Sequence, residues 1–204
     1  QSIQNCKYVL EHDSCLNGAI CRNEMTCQID IMKKMPWKRR GVHMTDTDMN
    51  NLALYLEKNY GLTSDRVITK AIDIVANENS FHPILEYLES LKWDGIPRIQ
   101  YMLTHFFGAE DIDYTGEVMK MHMMGAIRRL YEPGAKYDIM LCLVGGQGTG
   151  KSTFFRYLAI KDEWFTDDMK RIDDKKVYEY LQGHWIVEMS EMNAVANAKS
   201  IEET

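Results

Sequence analysis

No stretch of the chain approaches the about 20 consecutive apolar residues that span a bilayer, and the first ten residues, QSIQNCKYVL, lack the basic-then-apolar layout of a secretory signal. The expected setting is the cytoplasm, with no membrane among the partners. No Cys-x-x-Cys pair exists either. Cys6, Cys15, Cys21 and Cys27 are separated by eight, five and five residues, which is looser than structural zinc sites use. With Cys142 they total five, so reduced thiols are expected, and a small zinc site that includes His12 is the alternative. An excess of positive charge is also missing. The formal net charge of −6 excludes bulk attraction to nucleic acid and leaves only local clusters: Lys38-Arg39-Arg40, Arg128-Arg129, and Lys170-Arg171 with Lys175-Lys176. Each reads first as a solvated face, although subunits that gathered one cluster each around a pore would still hold a strand. There is no internal repeat, no low-complexity stretch and no Ser, Cys or His constellation for covalent catalysis; Ser190 lacks the glycine frame of a nucleophile elbow.

What is present is a globular composition. Of 204 residues, 45% are apolar, ample for one large domain or two small ones. Fourteen methionines, several within Met119–Met124, read as adaptable core packing. Residues 1–40 show turn formers at Asn17-Gly18 and a break at Pro36 but no clear period, so they stay unassigned. From Met44 the pattern sharpens. Thr45 and Asp48 suit a capping box, Leu52, Tyr55 and Leu56 share a helical face, and Gly61 ends the run. Ser64 can cap a second helix through Val67, Ile68, Ala71, Ile72 and Val75. Pro83 and Pro97 can each open a further helix, and a longer one is expected over Tyr114–Leu130. Everything before Pro133-Gly134 therefore reads as an all-α helical domain, residues 1–132, with a boundary near Tyr131–Lys136.

Beyond that boundary the character changes to α/β. Ile139–Val144 reads as a strand, Ser152–Leu158 as a helix, Asp173–Leu181 as another, and Trp185–Val187 as a second buried strand. Between the first strand and helix stands GGQGTGKS, residues 145–152, followed by Thr153, which fits the phosphate-loop pattern of Gly, four residues, Gly, Lys, Ser/Thr. In such a loop, backbone N–H groups of Gly145, Gly146, Gln147, Gly148, Thr149 and Gly150 wrap phosphates, and Gly145, Gly148 and Gly150 supply conformations that a Cβ would obstruct. Lys151 reaches the β and γ phosphates. Ser152 offers its hydroxyl to Mg2+, and the helix beginning there, with Thr153 in its first turn, aims its positive end at the anion. A plain glycine turn would require neither the lysine nor the hydroxyl. The ligands expected are ATP and Mg2+.

A phosphate loop needs an acidic partner at a neighbouring strand end, and HWIVEMSEM supplies Glu188 directly after Trp185-Ile186-Val187, with Glu191 three residues on. One would sit by the metal and the other polarise the attacking water; the sequence leaves the assignment open, with Ser152 and Glu188 as the metal ligands of first choice. Lys151, Glu188 and Glu191 are thus the expected catalytic residues. Hydrolysis also needs positive charge on the transition state, and Arg128, Arg129, Arg156 and Arg171 are candidates by composition only.

Several stretches together resemble the virulence-associated protein E family, P-loop proteins of phages and mobile elements related to superfamily-three helicases and phage primase-helicases. They are Tyr60-Gly61-Leu62, FHPILEYLESLKWDGIPRI from Phe81 to Ile99, PGAKYDIMLCLVGGQGTGKST from Pro133 to Thr153, WFTDD from Trp164 to Asp168, and LQGHWIVEMSEM from Leu181 to Met192. The resemblance implies an AAA-like ATPase core with a parallel sheet, preceded by the helical domain. It also implies a homo-oligomeric ring and single-stranded DNA as partners in a helicase or translocase. Trp93, Asp94, Gly95, Pro97 and Arg98 match a signature whose plain reading is a rigid turn between helices. The family continues past the acidic strand with further strands, a sensor residue and an arginine, whereas this sequence stops at Ile201–Thr204. A truncated core that binds nucleotide better than it hydrolyses it is therefore expected. Two other readings share the loop: a nucleotide-gated switch or defence ATPase without translocation, and a small-molecule kinase. The kinase is opposed by the late position of the loop and the lack of an arginine-rich lid.

Overall fold

The computed structural model describes residues 2–169 and 181–189, arranged as two compact units, residues 1–86 and 87–204. In the first unit, α1 (Ile3–His12) opens with the Ser2 hydroxyl accepting the Asn5 N–H at 3.2 Å. It leads to an antiparallel hairpin of β1 (Ile20–Asn23) and β2 (Gln28–Ile31), in register from Ile20 opposite Ile31 to Asn23 opposite Gln28. Then follow α2 (Asp46–Tyr60) and α3 (Asp65–Glu78). Ile68, Ala71, Ile72, Val75 and Ala76 recur at helical spacing on α3 and are all buried, against Cys6 and Leu10 of α1, Ile20 and Ile31 of the hairpin, and Leu52 and Leu56 of α2. Each fully buried aliphatic side chain of this kind contributes about 1.5–3 kcal/mol, so these residues hold the unit together.

In the second unit, a 3-10 turn (Ile99–Tyr101) and α5 (Met102–Phe107) lead to α6 (Asp113–Tyr131), then α7 (Lys151–Leu158); α4 (Pro83–Ser90) runs through the division between units. A two-residue parallel pair completes it: β3 (Phe165–Thr166) beside β4 (Ile186–Val187). The core gathers Leu103 of α5, Met119 of α6, and Phe154 and Leu158 of α7. Met119 is buried while Met121 and Met124 are exposed, so only one side of the methionine run packs. Among the described residues no helix is long and apolar enough to cross a membrane.

Two expectations about fold class are overturned. An AAA-like core would carry an extended parallel sheet, yet the described residues form only two sheets of two strands each. Ile139–Val144 is not a strand. Leu141 and Leu143 turn inward while Met140, Cys142 and Val144 face solvent, with Val144 94% exposed; among the described residues no neighbouring backbone pairs with the run. Period-two burial makes a half-buried segment, but only a partner's N–H and C=O groups make a sheet. Nor are residues 1–132 all-α, since they contain the β1–β2 hairpin. Its turn hid from the sequence because Asn23 Oδ1 accepts the Met25 and Thr26 N–H groups, and Cys27 takes a left-handed φ of 57°, a conformation that Gly or Asn would have advertised. The boundary expected near Tyr131–Lys136 falls inside the second unit, so α6 shares a unit with the Gly145–Ser152 loop.

The capping box on α2 is present: the Thr45 hydroxyl accepts the Asp48 N–H at 3.2 Å and the Asp48 carboxylate accepts the Thr45 N–H at 3.1 Å. Gly61 ends the helix at φ 66°. Asp48 is almost fully buried and also accepts Trp37 Nε1–H at 3.0 Å and Arg39 Nε–H at 3.3 Å. Burial pushes its carboxyl upward, but the hydrogen bonds from Trp37, Thr45 and Arg39 outweigh that and hold it at about 2. A folded value below the unfolded one stabilises the fold above the unfolded pKa. That contribution, about 2 kcal/mol, is lost as the pH falls through the folded value. Asp48→Asn should therefore destabilise the chain by about that amount at pH 7 and progressively less below pH 4. Urea midpoints of both proteins across this range check it.

Candidate functional site

The loop of residues 145–150 enters α7 through Gly150, whose φ of 81° is left-handed, as is that of Gly148 at 79°. Gly145 differs from expectation. A Cβ there would meet only Thr149 Oγ1, at 3.8 Å, which is ordinary contact. The Lys151 ammonium turns back into the loop and donates to the Gly145 carbonyl at 3.0 Å, the Gly146 carbonyl at 2.7 Å and Thr149 Oγ1 at 3.1 Å, using all three of its protons. Thr149 in turn donates to the Gly146 carbonyl at 3.0 Å. Gln147 and Thr153 are exposed at the loop tip and in the first turn of α7.

Glu188 is carried to this loop by β4. The Trp185 N–H donates to the Trp164 carbonyl and the Glu188 N–H to the Thr166 carbonyl, each at 2.8 Å, so the strand is fixed at both ends. Trp185 Nε1–H adds a bond to the Ala126 carbonyl of α6 at 3.2 Å. With the strand set this way, the Ser152 hydroxyl donates to Glu188 Oε1 at 2.6 Å, across 36 residues of sequence. Glu188 Oε2 is buried and has no hydrogen-bond partner among the described residues. An unpaired buried carboxylate oxygen costs about 1–3 kcal/mol or more, and a cation would offset that cost. The loop lysine, the first-turn serine and the strand-end acid are thus brought together. Glu191 lies outside the described residues, as do Lys170, Arg171, Lys175, Lys176, Ser190 and, but for Leu181, the helix expected over Asp173–Leu181.

The donor set fits a divalent cation only in part. Among the described residues no group of three or more His, Cys, Asp and Glu side chains is placed to hold a metal. Ser152 and Glu188 could supply two oxygens, and the remaining ligands would have to come from a phosphate and water, the usual manner of Mg2+. The five cysteines are all free thiols, Cys6 buried and Cys142 exposed.

A family model of the virulence-associated protein E-like domain matches residues 88–204, more than half of the chain. The chain belongs to this family. The match begins one residue inside the second compact unit, so the loop, Glu188 and α6 all lie within the virulence-associated protein E-like domain. A comparison with curated proteins finds no match.

Within this domain three of the four candidate arginines are engaged locally, Arg171 lying outside the described residues. Arg128 pairs with Glu132 at 2.9 Å, Arg129 donates to the Ala135 carbonyl at 3.2 Å, and Arg156 pairs with Asp162 at 3.1 Å and lies over the Phe165 ring. The Trp93–Arg98 signature forms a self-contained turn. Asp94 accepts two bonds from the Arg98 guanidinium, at 2.9 and 2.6 Å, and one from the Ile96 N–H at 3.0 Å; the arginine's bonds hold its carboxyl at about 2. Residue reasoning missed the role of Thr166, whose carbonyl sets the register of Glu188 and whose hydroxyl accepts the Asp168 N–H at 3.2 Å. The signal was available: Trp164-Phe165 followed by Thr-Asp-Asp repeats the apolar-then-acid pattern of Trp185–Glu188.

The approach to the loop is fixed by Tyr137, which rests on Gly125 of α6 and donates its hydroxyl proton to the Met121 carbonyl at 2.7 Å. A Cβ on Gly125 would come within 2.4 Å of that ring. Glycine to alanine inside a helix normally stabilises by about 1 kcal/mol, but this overlap reverses the sign, since overpacking costs about 1–3 kcal/mol. Gly125→Ala should lower the unfolding free energy in the wild-type background and raise it in the Tyr137→Ala background, as measured by chemical denaturation of the four proteins.

Proposed function

We propose that the virulence-associated protein E-like domain binds a nucleoside triphosphate, with ATP the expected one, at the Gly145–Ser152 loop and hydrolyses it with the help of Mg2+. The observation that carries this reading is the contact between Ser152 and Glu188, with the second carboxylate oxygen of Glu188 buried and unpaired beside it. It needs only the loop, α7 and the end of β4, and no extended sheet.

Each residue has a chemical task in this reading. Lys151 exchanges its neutral carbonyl acceptors for the anionic β and γ phosphate oxygens, so that each contact gains the attraction between opposite charges. The N–H groups opening α7 add the positive end of the helix dipole. Ser152 and Glu188 would hold Mg2+, which when bound supplies charge neutralisation between the phosphates. Water adds to the γ phosphorus as the bridging P–O bond breaks, giving nucleoside diphosphate and phosphate. Glu191 is the residue proposed to orient that water, and the transition-state arginine is proposed to come from a neighbouring subunit.

The likeness of the chain to proteins of phages and mobile elements supports a wider role, in which hydrolysis drives a ring-shaped helicase or translocase along single-stranded DNA during replication. The nucleotide step is tested first. Lys151→Ala should weaken ATP binding at least tenfold, about 1.4 kcal/mol or more, in a titration of the purified chain. Equal affinity in the two proteins would refute the assignment of the loop.

A further inference from the structure

Residues 31–45, IMKKMPWKRRGVHMT, contain five lysines and arginines and no acid, in a chain whose net charge is −6. The segment follows β2 in the first unit, outside the match to the virulence-associated protein E-like domain. Its odd-numbered residues anchor it. Met35 is buried in the core of the unit, Trp37 donates to Asp48, and the Arg39 guanidinium reaches Asp48 together with the Ile31, Gly41, Val42 and His43 carbonyls. Its even-numbered residues, Lys34, Pro36, Lys38 and Arg40, are exposed. Of the basic cluster singled out in the sequence, then, the middle residue is structural and the outer two are free to act. Among the described residues none of Lys34, Lys38 and Arg40 forms an ion pair, while the two acids that touch the strap, Asp48 and Asp30, are engaged by Arg39 and His43.

We infer that this strap is a contact surface for the phosphate backbone of a nucleic acid. Three cations are spread along seven residues of a segment pinned from beneath, so their side chains need no ordering of the main chain when they bind. A row of separated point charges suits a row of phosphates. It is a poorer match for a single anion, which a converging pocket would hold, and contacts to phosphates carry no base information, so binding would be independent of sequence. The negative charge on the rest of the chain confines the attraction to this strip. The inference goes beyond the nucleotide reading and does not rest on it.

The test is fluorescence anisotropy of a labelled oligothymidylate of about 20 nucleotides, longer than common single-strand site sizes, titrated with the whole chain at several salt concentrations. A variant carrying Lys34→Glu, Lys38→Glu and Arg40→Glu should bind at least tenfold more weakly than the wild type. Its log affinity against log salt should be shallower by about two, three contacts at about 0.7 each. A control with the same change of charge, Lys58→Glu, Lys70→Glu and Lys92→Glu at other exposed positions, should lose less than threefold, and both variants should bind ATP as the wild type does. Circular-dichroism melting confirms that both are folded. Equal losses in the two variants, no binding by the wild type, or equally tight wild-type binding to polyglutamate or to anionic phospholipid vesicles would overturn the assignment.

Discussion

The arrangement of the second unit depends on one short parallel ladder. Only two residues of each strand pair, Phe165 with Ile186 and Thr166 with Val187, yet the bonds that flank them decide where an acid 36 residues from the loop comes to rest. A backbone hydrogen bond contributes about 1 kcal/mol net, too little to hold a sheet of two residues alone. Its neighbours supply the rest: Trp164 is buried beneath β3, Ile186 is buried in β4, and the Trp185 indole is tied to α6. The acid is therefore aimed by apolar packing as much as by the ladder.

The same economy marks the loop. Lys151 satisfies its three donors on the loop's own carbonyls and on Thr149, so its charge is held where an anion would sit. Glu188 is the complementary group, with one oxygen satisfied by Ser152 and one buried and unsatisfied. Keeping a carboxylate oxygen out of water without a partner costs stability, and a bound cation would offset that cost. That imbalance lies beside a serine and a lysine of the phosphate-loop pattern, which is why the proposed cation site is placed there.

Much of this was legible in the residues. Thr45, Asp48 and Gly61 bounded α2, the spacing of Ile68, Ala71, Ile72 and Val75 marked the buried face of α3, and GGQGTGKS with Glu188 named two groups that come into contact, Ser152 and Glu188. Local rules sufficed because those signals act within one or two turns of chain. What stayed hidden depends on distant partners or on exceptional torsions. The β1–β2 hairpin turns through a left-handed Cys27, and Ile139–Val144 has the alternation of a strand but no neighbour to pair with among the described residues. Tyr137 is seated on Gly125 from 12 residues away. Arg39 looked like one of three equivalent cations, and only its five acceptors separate it from Lys38 and Arg40.

The central claim is that Ser152 and Glu188 share a divalent cation with a bound nucleotide. Calorimetric titration of ATP into the wild type and into Glu188→Gln, each with and without Mg2+, tests it most directly. Mg2+ should tighten binding to the wild type, and the substitution should abolish that gain while leaving the metal-free affinity within about twofold, under 0.5 kcal/mol. A gain from Mg2+ that survives in Glu188→Gln would contradict the account.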